Sequence, residues 1–193
     1  MTRSVEWWGD TEAKPAPEPL RRVQALINTI DRESGQDRLA EVDDARPWLA
    51  ANGLLTADSI FTADDLVVLV SVREGLRALV IHNSGGPIPD ELAIAALRDI
   101  ADDVAVRAAV GADGRVSVSP VGDSVRARLV QLLLVVEAAQ RDGTWAHLKA
   151  CANADCAWAF YDRSRNHRGT WCDMSSCGNK LKNRDFRARK RTH

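Results

Sequence analysis

Residues 151–179 read CANADCAWAFYDRSRNHRGTWCDMSSCGN, and this stretch decides how the rest of the chain is divided. It holds all four cysteines of the protein, as Cys151-x4-Cys156 and Cys172-x4-Cys177, with 15 residues between the pairs. Two cysteine pairs on short turns are how a small domain gathers four thiolates into a tetrahedron, so Cys151, Cys156, Cys172 and Cys177 are the predicted ligands of one structural zinc. With all four positions filled by cysteine the site is closed, which argues against a catalytic metal that needs an open water position. An iron–sulfur cluster or a redox dithiol is the alternative use of such thiols. His167 lies between the pairs, but four cysteines make a fifth ligand unnecessary, and it is read as a loop residue.

Charge divides the chain at the same place. Residues 143–193 hold 11 Lys or Arg and four acids, net +7, whereas 1–142 hold 15 basic and 23 acidic residues, net −8. An acidic body with a basic end points to a polyanion partner for that end. A helix is predicted to start near Cys177, capped by Ser175 or Ser176, and to run to about Arg191. On it Lys180, Arg184, Arg187 and Arg191 form one stripe, flanked by Lys182, Arg189 and Lys190, with Asp185 as the single offsetting acid from 180 onward. Arg163, Arg165 and Arg168 add to the candidate nucleic-acid contacts. Which of these would read bases rather than phosphates is not encoded in the charge pattern.

Working back from the cysteines, the chain is mostly helical by period. Leu20, Val23, Leu26, Ile27 and Ile30 recur on one helical face, and Asp43 or Asp44 caps a short helix with Trp48 and Leu49. Thr62-Ala63-Asp64-Asp65 opens a longer helix, with Leu66, Leu69, Val70, Arg73, Leu76, Leu79 and Val80 in register, that stops at Asn83-Ser84-Gly85. Pro89 starts another. Val104 and Val106, then Val116 and Val118, alternate around Gly111-Ala112-Asp113-Gly114, which predicts a hairpin. Asp123 or Ser124 caps an apolar helix reaching about Gln140, and a short helix over Trp145–Ala150 leads into Cys151. The fold class expected is mainly α with one small β-hairpin, followed by a treble-clef-like or knuckle-type zinc module. The domains expected are a flexible proline-rich leader over 1–19, a helical domain over 20–142 and the zinc module over 143–193.

Within the module, Trp158, Phe160, Trp171 and Met174 are expected to cluster around the metal, Gly178 to supply a positive φ, and nearby cations to soften the charge of four thiolates. The stretch from Cys151 through Trp158, Phe160, Asp162, Ser164, Arg165 and Asn166, followed by Trp171-Cys172-Asp-Met174-Ser-Ser-Cys177-Gly178-Asn179, resembles the CGNR zinc finger. In that family the finger follows a helical domain called ABATE, and Ile27-Asn28-Thr29-Ile30-Asp31 resembles an Asn-Thr-x-Asp element of it. The resemblance implies a bacterial, stress-induced transcription regulator. Lys180 stands where the family's name-giving motif has Arg, which keeps the charge and loses the forked guanidinium.

The function expected is therefore a DNA-binding transcriptional regulator, with an RNA-associated zinc module or a protein-interaction adaptor as the competing readings. A homodimer through the helical domain is a further expectation, and whether that domain takes a small-molecule effector is not readable. No phosphate loop, His-Glu-x-x-His motif or nucleophile elbow is present, so no enzyme and no catalytic residue are expected. The longest apolar run, Leu129–Ala139 broken by Gln131 and Glu137, is too short for a bilayer, and the first residues lack the apolar core of a signal peptide. The expected location is cytoplasmic, at the nucleoid, with no membrane partner.

Overall fold

The computed structural model describes residues 12–56 and 58–179. Five α-helices and three antiparallel strand pairs are found among them: α1 Arg21–Ile27, β1 Ile30–Asp31, β2 Gln36–Asp37, α2 Val42–Ala51, α3 Ala63–Asn83, α4 Glu91–Asp103, β3 Val106–Val110, β4 Val116–Pro120, α5 Val125–Asp142, β5 Leu148–Ala150 and β6 Ala159–Tyr161. The chain is mainly α, as its periodicity predicts; β3–β4 is the predicted hairpin, and β1–β2 and β5–β6 are two further antiparallel pairs. Among the described residues no helix is long and apolar enough to cross a membrane.

The helix starts follow local chemistry. Thr62 closes a capping box on α3, its hydroxyl accepting from Asp65 N–H at 3.2 Å while Thr62 N–H donates to the Asp65 carboxylate at 3.0 Å. Asp90 caps α4 by accepting from Ala93 N–H, and Ser124 rather than Asp123 caps α5 by accepting from Ala127 N–H. On α2 the Ncap is Glu41, without a side-chain cap, and Asp43 and Asp44 lie in the first turn instead. Carboxylates there still favour the positive end of the helix dipole.

The core lies between α1, α3 and α5. Val23, Leu26 and Ile27 of α1 meet Leu69, Val72, Leu76 and Val80 of α3 and Leu129, Leu132 and Val136 of α5, all buried. α4 closes on α3 because position 75 is glycine: a Cβ there would lie 2.9 Å from Leu97 Cγ and 3.1 Å from the Ala93 carbonyl.

Two segments differ from the sequence reading. Trp145–Ala150 is not a helix. A single 3-10 turn, Thr144–His147, ends in strand β5, which pairs with β6 in the register Leu148–Tyr161, Lys149–Phe160 and Ala150–Ala159. Alternation then gives this ribbon two working faces. Leu148, Ala150, Ala159 and Tyr161 join the helical core, while Phe160 joins the cysteine cluster on the other side. The strand pair is thus shared between the helical body and the cysteine region, across the division placed at 142/143.

The helices hold this ribbon by side-chain amides. Asn83 donates to the carbonyls of Trp145 and Leu148, and the Ser84 hydroxyl accepts from Ala150 N–H at 2.7 Å. Asn28 pairs with Ala159 as a strand would, accepting its N–H at 2.8 Å and donating to its carbonyl at 2.9 Å. That is why α1 stops at Ile27 and leaves Ile30 in β1.

The second difference is the leader. Of its residues, 12–19 are described, and they pack rather than trail. Lys14 carbonyl accepts from Tyr161 N–H at 2.9 Å, Ala16 is buried and donates its N–H to Gln24, and Pro15 carbonyl accepts from Arg163. The proline run is stiff, so docking it costs less chain entropy than docking a flexible arm. Trp7 and Trp8 lie outside the described residues.

Candidate metal centre

The four cysteine sulfurs lie within 4.8 Å of one another and all four residues are buried. Cys172 Sγ is 3.8 Å from both Cys156 Sγ and Cys177 Sγ. A tetrahedron with Zn–S bonds of about 2.3 Å has an S···S edge of about 3.8 Å, so the donor set fits one structural zinc. The thiols alone cannot all ionise here. Hydrogen bonds from Cys156 and Cys172 hold Cys151 down to about 2 as the thiolate, and the same hydrogen bonds to Cys151 push Cys156 and Cys172 far up. A divalent cation supplies the charge that lets the remaining thiols deprotonate.

Each cysteine pair is shaped by its own turn. In the first, Asn153 carbonyl accepts from the N–H groups of Cys156 and Ala157, both at 2.9 Å, and Ala157 takes the left-handed φ of 47°. In the second, Asp173 caps the helical turn Met174–Gly178, accepting from Ser176 N–H at 3.0 Å and from Ser175 N–H at 3.3 Å. The described turn thus starts before Ser175 and Ser176 and takes Asp173 as its cap; the helix predicted to run on to about Arg191 lies outside the described residues from 180 onward. Hydrogen bonds from Ser175 and Ser176 hold the Asp173 carboxyl at about 2.

Gly178 is not in the left-handed region expected for it. It lies inside the turn, where a Cβ would sit 2.5 Å from Met174 Sδ and 3.2 Å from Trp171 Cδ1, so a larger residue would have to displace the Met174 side chain. Trp158 and Phe160 pack on the sulfurs as expected, with Trp171 partly buried against them. Met174 does not join them; it is 47% exposed.

Among the described residues, the cations at the cluster are Lys14 and Arg77 rather than Arg163, Arg165 and Arg168. Arg163 reaches Pro15 carbonyl and lies over the Tyr161 ring, and Arg165 and Arg168 sit on an exposed loop. Instead, Lys14 lies over the Phe160 ring and donates to Trp171 carbonyl, and Arg77 of α3 reaches into the first cysteine turn. Arg77 is buried and donates to Ala157 carbonyl at 3.1 Å, Ile27 carbonyl at 2.6 Å and Glu74 at 3.0 Å. Burial lowers its pKa against the raising effect of Glu74. The signal for it was an arginine one turn beyond Arg73 in an apolar stripe. Asn153 completes the shell, donating to Glu33 at 2.9 Å with Cys177 Sγ 3.9 Å away. Lys180, Lys182, Arg184, Arg187, Arg189, Lys190 and Arg191 lie outside the described residues.

His167 is not among the clustered donors. It takes a left-handed φ of 48°, and its ring stacks on His147 with centroids 4.0 Å apart. Its carbonyl and the Asp162 carboxylate share the buried Lys149 ammonium, the latter at 3.0 Å. Asp162 also accepts from the N–H groups of Ser164 and Gly169. Burial pushes its carboxyl up, but hydrogen bonds from Ser164, Lys149 and Gly169 outweigh that and hold it below the ordinary range. A depressed carboxyl contributes stability that is present above about pH 4 and is lost as pH falls through the folded value. Asp162→Ala leaves Lys149 buried without its partner and is expected to cost about 3–5 kcal/mol at pH 7. Urea midpoints of wild type and Asp162→Asn are expected to differ at pH 7, to draw together as pH falls from about 4 and to meet only below the depressed folded value; a constant difference would refute the assignment.

Two family models match the chain. One is the CGNR zinc finger, over residues 147–190. The other is ABATE, described as "Putative stress-induced transcription regulator", over residues 20–160. They overlap on 147–160, which holds β5 and all of β6 but Tyr161, the strand pair that the helical body and the cysteine cluster share. No curated protein matches the chain.

Proposed function

The chain belongs to the ABATE family and carries a CGNR zinc finger, and from that premise we propose that it regulates transcription by binding DNA through its basic C-terminal run. The observation that carries this reading is the way the chain leaves the metal cluster. Cys177 is fixed in a capped turn, and the chain passes through Gly178 and Asn179 into fourteen residues with seven Lys or Arg and one acid, Asp185. The basic run follows in sequence directly on this buried, capped turn, so the metal module is the point to which its cations are tethered. The exposed Arg165 and Arg168 add two cations to the finger region itself. The four-thiolate site has no open position for a substrate, so zinc acts here as a staple and the protein is read as a regulator without a catalytic step. Response to stress and residence at the nucleoid follow from the same reading, and two copies are expected to pair through the body.

Arg184→Ala with Arg187→Ala removes two cations without touching a ligand. If both contact phosphates, affinity for duplex DNA is expected to fall for all sequences and the salt slope to drop by about two units. If one reads a base edge, discrimination between sites is expected to shrink by about 1–3 kcal/mol. Fluorescence anisotropy against random and genomic duplexes, and against RNA, at several salt concentrations measures this. Unchanged affinity in the double variant, or tighter binding to RNA, would overturn the reading.

A further inference from the structure

The ribbon β3–β4 carries one face with nothing on it. Its register pairs Val106 with Pro120, Ala108 with Val118 and Val110 with Val116. Alternation puts these six residues on one face, all apolar, and Arg107, Ala109, Ser117 and Ser119 on the other. The apolar face is open to solvent: Val106 is 52%, Val110 72%, Val116 69% and Val118 48% exposed, and no residue of either strand is buried. An isolated two-stranded ribbon is marginal in water, and an apolar face in strict alternation is the pattern of a covered sheet. Exposed apolar patches of this kind mark contact surfaces.

We propose that this face is covered by the same face of a second copy, so that the protein forms a two-fold dimer through β3–β4. Charge selects this occupant. Residues 1–142 carry a net charge of −8, yet within 104–122 Arg107 and Arg115 outweigh Asp113, and the stacked face itself bears no charge. It is a place where two acidic bodies meet without like charges facing each other, and it gives a charged peptide or a nucleic acid nothing to pair with. Shape agrees. A two-fold axis parallel to the strands sets Ala108 opposite Val118 of the second copy, Val110 opposite its Val116 and Val106 opposite its Pro120. The smallest residue at the centre of the face thus meets a larger one on both sides of the axis. The ribbon is about 17 Å long and two strands wide, so the contact falls well below the roughly 800 Å² per partner of a standard interface, and the dimer is a micromolar one. This inference rests on the ribbon and not on DNA recognition.

Sedimentation equilibrium of the zinc-loaded full chain without DNA, from about 1 to about 300 μM, tests it across the micromolar range. Wild type is expected to pass from monomer to dimer. Val118→Lys puts an ammonium into the stacked face and is expected to raise Kd by about 100-fold or more, with zinc content and far-UV circular dichroism unchanged. Ser117→Lys, on the opposite face, is expected to dimerise as wild type does. Ala108→Glu alone is expected to dissociate as well, and mixing it with Val118→Lys to restore association, because glutamate 108 of one copy then meets lysine 118 of the other. A wild type that stays monomeric throughout, a Val118→Lys variant that dimerises normally, loss of the dimer in Ser117→Lys, or a mixture that does not associate would each overturn the proposal.

Discussion

Cys172→Ser is expected to release the zinc and to unfold residues 151–179 while most of the helix signal survives. Cys172 is one of the four vertices, its Sγ 3.8 Å from two other ligand sulfurs, so its removal leaves three thiolates and an open position. Structural zinc in small domains contributes apparent binding free energies of about 10–16 kcal/mol, and a buried cluster of thiols has no comparable substitute. Elemental analysis is expected to drop from about one zinc per chain to a small fraction of that after chelator treatment. The effect is not confined to the cysteine turns. β5 and β6 carry Phe160 on the metal side and Leu148, Ala150, Ala159 and Tyr161 on the helical side, so loosening one face loosens the other. Hydrogen exchange is expected to rise in β5–β6 and at the end of α1, where Asn28 binds Ala159, and to stay slow in the middle of α3 and α5. Zinc retained at full occupancy, or exchange raised evenly along the chain, would contradict this account.

Arg77→Ala is expected to cost both stability and zinc affinity, although Arg77 is not a ligand. The guanidinium is buried and holds two carbonyls from distant parts of the chain, Ile27 at the end of α1 and Ala157 in the first cysteine turn. Alanine leaves both acceptors buried and unpaired, at about 1–3 kcal/mol each, and adds a cavity of side-chain size. A loss of at least about 3 kcal/mol is expected, which for a chain of this length lowers Tm by roughly 10 °C. Zinc affinity is expected to fall by about 10–100-fold, because Ala157 holds the left-handed position that aims Cys156. Lysine does not rescue, since a single ammonium cannot span both carbonyls and Glu74 in one plane. Urea unfolding and competition with a zinc chelator measure both effects. A Tm change below about 3 °C would show that Arg77 is replaceable.

The two substitutions mark where the sequence was legible and where it was not. The ligands could be read because metal spacing is local: each pair is closed by a turn of six residues, and the turn chemistry travels with it. Helices α3, α4 and α5 could be read for the same reason, with their caps at Thr62, Asp90 and Ser124 within four residues of what they cap. Errors arose where one local rule competed with another. Ser175 and Ser176 are good cap residues, but Asp173 ahead of them is a better acceptor in an extended position. Glycine supplies a positive φ in many turns, whereas Gly178 lies in a helical turn against Met174 and Trp171. Leu148–Ala150 is too short for its period to separate strand from helix, and its pairing with Ala159–Tyr161 decided the matter.

By itself, the sequence determined the metal site, the division between an acidic body and a basic end, and the order of the helices, since each rests on residues within one or two turns of one another. Only the tertiary structure decided that the cysteine region is built into the helical core. That depends on Arg77 meeting Ala157, Asn28 meeting Ala159 and Lys14 meeting Tyr161, contacts between residues 80 or more positions apart. An arginine in an apolar stripe or a lone asparagine after a helix carries no mark of the carbonyl it will find. Its partner is fixed by the burial of polar backbone groups that only the packed chain brings together.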